Sequence, residues 1–274
     1  MTKNRNNNKQ IAENTIEILK TGFYEVNDKT IDITEMQQNA VSNSILLKPE
    51  WQPKVDFEKR FETEYSVVNC TSLQACEQVK DENAMCLNFA SAKNPGGGFL
   101  GGSQAQEESL ARSSGLYYTL TKHQEYYQSN RENRIFLYLD YMIYSPKVPV
   151  IKNDQGDLFE QPYTLSFITA PAVNAGVLLQ RQPHLAPEIE PTMKRRIERV
   201  LTLAAEKGHQ TLVLGAWGCG VFRNDPKMIA RLFAEALLDK GAFAGVFKKV
   251  VFAVLDRKEP KPRFEAFSQA FSSN

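Results

Sequence analysis

The chain has 274 residues, and 33 lysines and arginines against 32 acidic residues leave a formal charge of +1. That balance excludes bulk electrostatic attraction to nucleic acid, which needs a strongly basic domain, and no DNA partner is expected. Four cysteines without CxxC spacing and three histidines exclude a disulfide framework and leave almost nothing from which to build a zinc site, so neither metal nor cofactor is expected.

The first periodic segment, with Ile11, Ile16 and Leu19 on one face, predicts a helix over 10–20 that Gly22 stops. Asn27-Asp28 marks a turn, residues 30–33 read as a short strand, and residues 46–64, with Trp51, Pro49, Pro53 and many charges, read as irregular. This opening stretch, residues 1–64, is expected to form a helical extension or cap on a core over 65–274. From Tyr65 onward short apolar strands alternate with helices. Strands are predicted over 65–69, 84–90, 142–144, 163–170, 210–214 and 248–255. Helices are predicted over 71–80, 105–120, 122–130, 188–207 and 226–240. The pattern is that of an α/β fold with helices on both faces of a largely parallel sheet. The polar first ten residues carry no secretory leader, and no apolar run reaches the ~20 residues of a membrane span. A soluble, intracellular, cytoplasmic protein without membrane association is the expectation.

Two glycine-rich turns stand out. The first, Asn94-Pro95-Gly96-Gly97-Gly98 continuing to Gly102, follows a buried strand and precedes a helix. Bare backbone there can approach a ligand closely, and the unpaired N–H groups of the helix start favour an anion. The second, from Gly215 through Gly218, Cys219, Gly220, Val221 and Phe222 to Asp225-Pro226, has the same setting, with Asp225 as N-cap. Loops at the carboxyl ends of strands in one sheet can close on a ligand from two sides, and a diphosphate suits two facing sets of N–H groups. A plain flexible loop is the competing reading of the first turn. Ordinary packing is the competing reading of Phe222, and for Cys219 a small packing residue is preferred over a nucleophile.

Known phosphate motifs are absent: no Gly-Lys-Ser/Thr supplies a P-loop. Gly96 to Gly101 does satisfy G-x-G-x-x-G, but the region about twenty residues on lacks the acidic residue of a dinucleotide fold. Immediately after the glycines come Gln106, Glu107 and Glu108 on the first turn of a helix. Adjacent helical residues diverge by ~100°, so the two acids cannot oppose each other across a substrate as most glycosidase pairs do. One can enter the cleft while the other braces it, or both can merely complement the helix dipole.

Three glycines, seven intervening residues and then Gln106-Glu107-Glu108 resemble the signature of the poly(ADP-ribose) glycohydrolases. The surrounding NFASAKNPGGGFLGG, QAQEESLARSSGLY and GAWGCGVFRNDP resemble the microbial-type branch of that family. The resemblance implies a three-layer α/β/α macrodomain-like mixed sheet with an N-terminal helical extension. It implies hydrolysis of the ribose–ribose bonds of poly(ADP-ribose) to ADP-ribose, mainly from chain ends, by a monomer acting on poly-ADP-ribosylated proteins. Carried over residue by residue, Glu108 is the catalytic acid and Glu107 positions the ribose. Gln106 supports both, and Asn94 is a candidate ribose contact. Gly96, Gly97 and Gly98 pack against the reacting ribose and diphosphate, while Gly218, Cys219, Gly220, Val221 and Phe222 cover the diphosphate and terminal ribose. A hydrolase of mono-ADP-ribosylated protein or O-acetyl-ADP-ribose, and a reader of ADP-ribose without turnover, would use a similar pocket.

Overall fold

Residues 2–52, 56–80, 82–257 and 259–271 are described by a computed structural model. In chain order they form α1 (Thr2–Thr21), a β1–β2 hairpin (Phe23–Val26, Lys29–Asp32), α2 (Thr34–Asn43), β3 (Ile45–Leu47), β4 (Glu64–Val68), α3 (Ser72–Gln78) and β5 (Ala84–Phe89). There follow α4 (Gln106–Ser113), α5 (Leu116–Thr121), α6 (Gln124–Glu132), β6 (Met142–Lys152), β7 (Leu158–Ala170) and α7 (Ala175–Arg181). The remaining elements are α8 (Ile189–Glu206), β8 (Thr211–Leu214), α9 (Pro226–Leu237), β9 (Lys249–Ala253) and α10 (Pro262–Phe271).

Seven strands make one mixed sheet in the order β3-β6-β7-β5-β8-β9-β4. Pairing is parallel from β7 across to β4 and antiparallel at β3–β6 and β6–β7. Because side chains alternate along a strand, β5 feeds two cores. Met85 and Leu87 join a cluster with Ile197, Val200, Phe233 and Phe267 on one face. Ala84 and Cys86 join Leu73, Leu110, Tyr126 and Tyr127 on the other. Strands buried on both faces must be apolar throughout, which is why β5 and β8 were legible as strands. The result is the expected three-layer α/β/α sheet.

Several local expectations change. The first helix begins at Thr2 instead of near Gln10, so it takes in the polar, Asn-rich opening. The single helix expected over 105–120 is two, because Ser114 turns extended and Gly115 donates its N–H to Pro149 O. β6 runs eleven residues through Pro149, with irregular register against β7 where the expectation stopped at Tyr144. Helices α2, α7 and α10 and strand β3 were not anticipated. Within 46–64, residues 53–55, Pro53 among them, lie outside the described residues; Ile45–Leu47 forms the edge strand of the main sheet. In α10, Phe264, Phe267 and Phe271 recur at helical spacing, but the flanking prolines at 260 and 262 masked the period.

The parallel run decides where a ligand can sit. The carboxyl ends of β7, β5 and β8 lie side by side, so the segments that follow them, Pro171–Asn174, the first glycine turn and the second, emerge along one edge of the sheet.

Candidate active site

The first glycine turn is anchored by the helix that follows it. Gln106 Oε1 accepts Phe89 N at 2.8 Å, and its Nε2 donates to Leu87 O at 2.8 Å and Ser72 Oγ at 3.1 Å. The side chain is thus spent on joining the start of α4 to the end of β5, which leaves it bracing the site. Within the turn, the Asn94 carbonyl accepts Gly97 N at 3.0 Å, while Asn94 itself stands exposed.

The two acids have separate surroundings. Glu107 is 3% exposed; its Oε2 accepts Ser91 N at 2.7 Å and its Oε1 accepts Asn88 Nδ2 at 3.3 Å. Asn88 also donates to Thr169 Oγ1 at 3.1 Å. Burial pushes the Glu107 carboxyl up to about 8; the Ser91 amide opposes that shift and the neighbouring Glu108 charge adds to it. Glu108 is half-buried, and its Oε1 accepts Gly98 N at 3.0 Å. The carboxyls converge on Gly97: a Cβ there would land on Glu108 Oε1 and lie 3.2 Å from Glu107 Oε2.

Gly97 has φ of +60°, a conformation L side chains disfavour by roughly 1–2 kcal/mol. Gly97→Ala therefore carries both backbone strain and a collision with the Glu108 carboxylate. We expect kcat to fall by on the order of 100-fold while the melting temperature drops by only a few degrees. Steady-state kinetics beside a thermal melt checks this; near-parent turnover would show that Glu108 need not hold its observed place.

The second turn packs on the loop after β7. Gly218, at φ +73°, sits against Ala172 and Asn224, and Asn224 Nδ2 donates to Val173 O at 2.8 Å and Gly218 O at 3.1 Å. Asn224 N also donates to Gly218 O at 3.1 Å, and Arg223 N to Gly220 O at 3.1 Å. The N–H groups of Gly220, Val221 and Phe222 find no acceptor among the described residues. Val221 is 81% exposed at the tip. Three successive amides without a partner among the described residues are a donor set available to an anion. Phe222 is half-buried, with its ring 5.9 Å from that of Tyr138 and its carbonyl accepting Gly176 N at 2.9 Å. Burial pushes the Cys219 thiol up to about 12, so it stays protonated and packs instead of attacking.

Asn88, Ser91, Thr169, Asn224 and Tyr138 were missed in the sequence reading. Only Asn88 carried a signal, as a polar residue inside an otherwise apolar strand; the others gain a role from partners remote in the chain. Among the described residues no three of His, Cys, Asp and Glu gather at one place. The expected pair of facing N–H sets is not found: in the first turn the amides of Gly97, Gly98, Phe99, Gly101 and Gly102 are spent within the turn or on Glu108. The free amides therefore belong to the second turn, and the first contributes bare backbone and one half-buried carboxyl, a combination that suits glycosidic hydrolysis by a single acid–base group.

A family model for the microbial-type PARG catalytic domain matches residues 12–153. The crystal structure of poly(ADP-ribose) glycohydrolase from Thermomonospora curvata bound to the inhibitor ADP-HPD is 42% identical, with a TM-score of 0.89 over 96% of this chain and 99% of that one. A mutant of the same protein is similar at 41% identity, with the same coverage and TM-score. Poly(ADP-ribose) glycohydrolase from Deinococcus radiodurans in complex with ADP-ribose is 43% identical, with a TM-score of 0.82 over 86% of this chain and 97% of that one. Comparison with curated proteins gives no significant match.

Proposed function

The chain belongs to the microbial-type poly(ADP-ribose) glycohydrolases, and from that premise we propose how its residues divide the hydrolysis of ribose–ribose bonds. Glu108 is the acid–base residue. It protonates the departing ribose oxygen as the bond to the anomeric carbon breaks, then takes a proton from the water that attacks that carbon. The bound diphosphate, held by the amides of Gly220, Val221 and Phe222, lies near enough to steady the positive charge that builds on the ribose. Glu107 holds a ribose hydroxyl from below, with Gln106 bracing the helix start that carries both acids. Gly96, Gly97 and Gly98 keep the floor free of side chains, Asn94 contacts the ribose at the rim, and Gly218 and Cys219 shape the turn that Phe222 closes. The single observation that carries this is the convergence of both carboxyls on Gly97 at the sheet edge where the second glycine turn, with its free amides, also emerges.

Cleavage proceeds from chain ends. What supports this is the placement of α1, whose Arg5 and Asn8 reach the outer side of the first glycine turn, where a capping segment would stop a polymer from running past the site. The substrate is polymer on modified protein, and the enzyme is a cytoplasmic monomer; its four free thiols suit a reduced compartment. The test uses polymer blocked at its terminal ribose alongside unblocked polymer and mono-ADP-ribosylated protein. ADP-ribose released from unblocked polymer alone is the expected result. Internal fragments from blocked polymer would overturn end-directed action, and release from the mono-modified protein would overturn the polymer preference.

A further inference from the structure

The segment between the glycines and α4 is a knot closed on itself. Gly98 O accepts both Gly101 N at 3.0 Å and Ser103 N at 3.1 Å, and Gly102 N donates to Phe99 O at 2.9 Å. The same Gly98 donates its own N–H to Glu108. Whatever holds this knot therefore holds the carboxyl that does the chemistry.

Two sets of contacts hold it, and both come from α1. On the outside, Arg5 Nε donates to Gly101 O at 2.8 Å, and Asn8 Nδ2 reaches Gly102 O and Gln104 Oε1 at 3.4 Å each. Gly102 packs so closely under α1 that a side chain there would meet the Arg5 carbonyl. On the inside, Ala12, Phe99 and Ala111 form a small buried cluster. Beside it runs a chain of buried polar groups. Lys152 Nζ donates to Thr15 Oγ1 at 2.7 Å and to Ile11 O at 3.1 Å, and Thr15 Oγ1 lies 2.5 Å from Arg112 O. Thr15 Oγ1 also lies 2.9 Å from Ile11 O; a hydroxyl has one proton to give, and the shorter contact, to Arg112 O, ties α1 to α4. Arg112 Nη1 then donates to Ser103 O at 2.5 Å, which returns the chain to the knot.

Lys152 is 1% exposed, and no carboxylate among the described residues lies within ion-pair distance of it. Burial holds its ammonium down to about 8. A buried cation without a counter-charge is a costly feature if all it does is fasten a helix; three alkyl contacts would fasten it as well. Its worth lies in direction, since hydrogen bonds fix a helix in rotation and register where apolar contacts let it slide.

We propose that α1 is a working part of the catalytic site, with Arg5 and Thr15 as positioning residues that keep the Gly98 amide seated on Glu108. This rests on Glu108 being the acid–base residue.

The test compares the full chain carrying Arg5→Ala, Arg5→Lys, Thr15→Val or Thr15→Ser, each assayed at least 15 °C below its melting temperature. Arg5→Ala should lower kcat on poly(ADP-ribose) by on the order of 10-fold with KM and ADP-ribose affinity within twofold of the parent, and Arg5→Lys should recover most of the loss. Thr15→Val should behave alike and Thr15→Ser should restore activity. A helix with only a structural role would lower the melting temperature and leave kcat alone. The proposal is overturned if Arg5→Ala, an exposed change that leaves the core intact, keeps kcat within twofold, or if KM and ADP-ribose affinity move as far as kcat. Glu108→Gln assayed in parallel separates the two readings: if that variant stays active the acid–base assignment fails, whatever the α1 variants do.

Discussion

Glu108→Gln should cut turnover on poly(ADP-ribose) by a thousand-fold or more, while ADP-ribose binds with nearly unchanged affinity. Glutamine has the shape of glutamate and keeps an oxygen that can accept the Gly98 amide, now at 3.0 Å, so the glycine knot need not move. What it lacks is a proton to give and a charge to take one back. General acid–base catalysis is worth roughly 10²–10⁴ in rate, and with one carboxyl serving both half-reactions the loss falls toward the upper end. Calorimetric titration with ADP-ribose and chromatographic measurement of released product are the two readouts. Hydrolysis within tenfold of the parent would remove Glu108 from the mechanism and direct attention to Glu107.

Glu107→Gln should do something different: abolish most activity and make the protein more stable at alkaline pH. The folded protein holds the Glu107 carboxyl at about 8, against an ordinary value near 4.5 in the unfolded chain. Between those two values the native state keeps a proton that the unfolded state has released, so stability falls as pH rises through that window. Below about 4.5 the effect vanishes, and above about 8 it is complete, with an upper bound of roughly 5 kcal/mol at ~1.4 kcal/mol per pKa unit. Glutamine has no charge to bury and escapes this penalty. The pocket can accommodate it, because Asn88 Oδ1 is buried without a partner and, with its amide turned over, would accept from the new Nε2. Melting curves of variant and parent should coincide near pH 4.5 and separate by several degrees at pH 8.5. Parallel curves across that range would show that Glu107 is ionised in the fold after all.

The opposition between these two substitutions reflects how neighbouring acids on one helical turn come to have different tasks. Their side chains leave the helix ~100° apart. One direction leads under the turn, toward Asn88 and Thr169, and the other toward the open edge of the sheet. In the proposed division of labour the wet acid exchanges protons with substrate and water, and the dry one is a fixed contact whose burial costs stability of the kind active sites commonly carry.

Much of this was legible from the residues alone. Apolar runs at 84–90 and 210–214 read as doubly buried strands, and the glycines that follow each mark a turn at the carboxyl end. The spacing from Gly96–Gly98 to Gln106-Glu107-Glu108 put bare backbone beside acids one turn into a helix, and its resemblance to the signature of the poly(ADP-ribose) glycohydrolases is what implied the chemistry. The failures were of another kind. Gln106 was expected to support the two acids only through the resemblance; that it would do so by spending its amide on Phe89 and Leu87 had no local signal. The Asn-rich opening has no apolar face to signal a helix, and it becomes one where Arg5 and Asn8 find the glycine knot.

The chain's own pattern determined the elements near the site, the two glycine turns and the pair of acids, since each depends on residues within about a dozen positions of one another. Tertiary structure alone decided which acid is dry, what Gln106 does, and that α1 reaches the catalytic loop. Those outcomes rest on contacts such as Arg5 to Gly101, 96 residues apart, and Lys152 to Thr15, 137 apart. Burial and hydrogen-bond partnership across such distances are set by how layers pack, and no local periodicity encodes them.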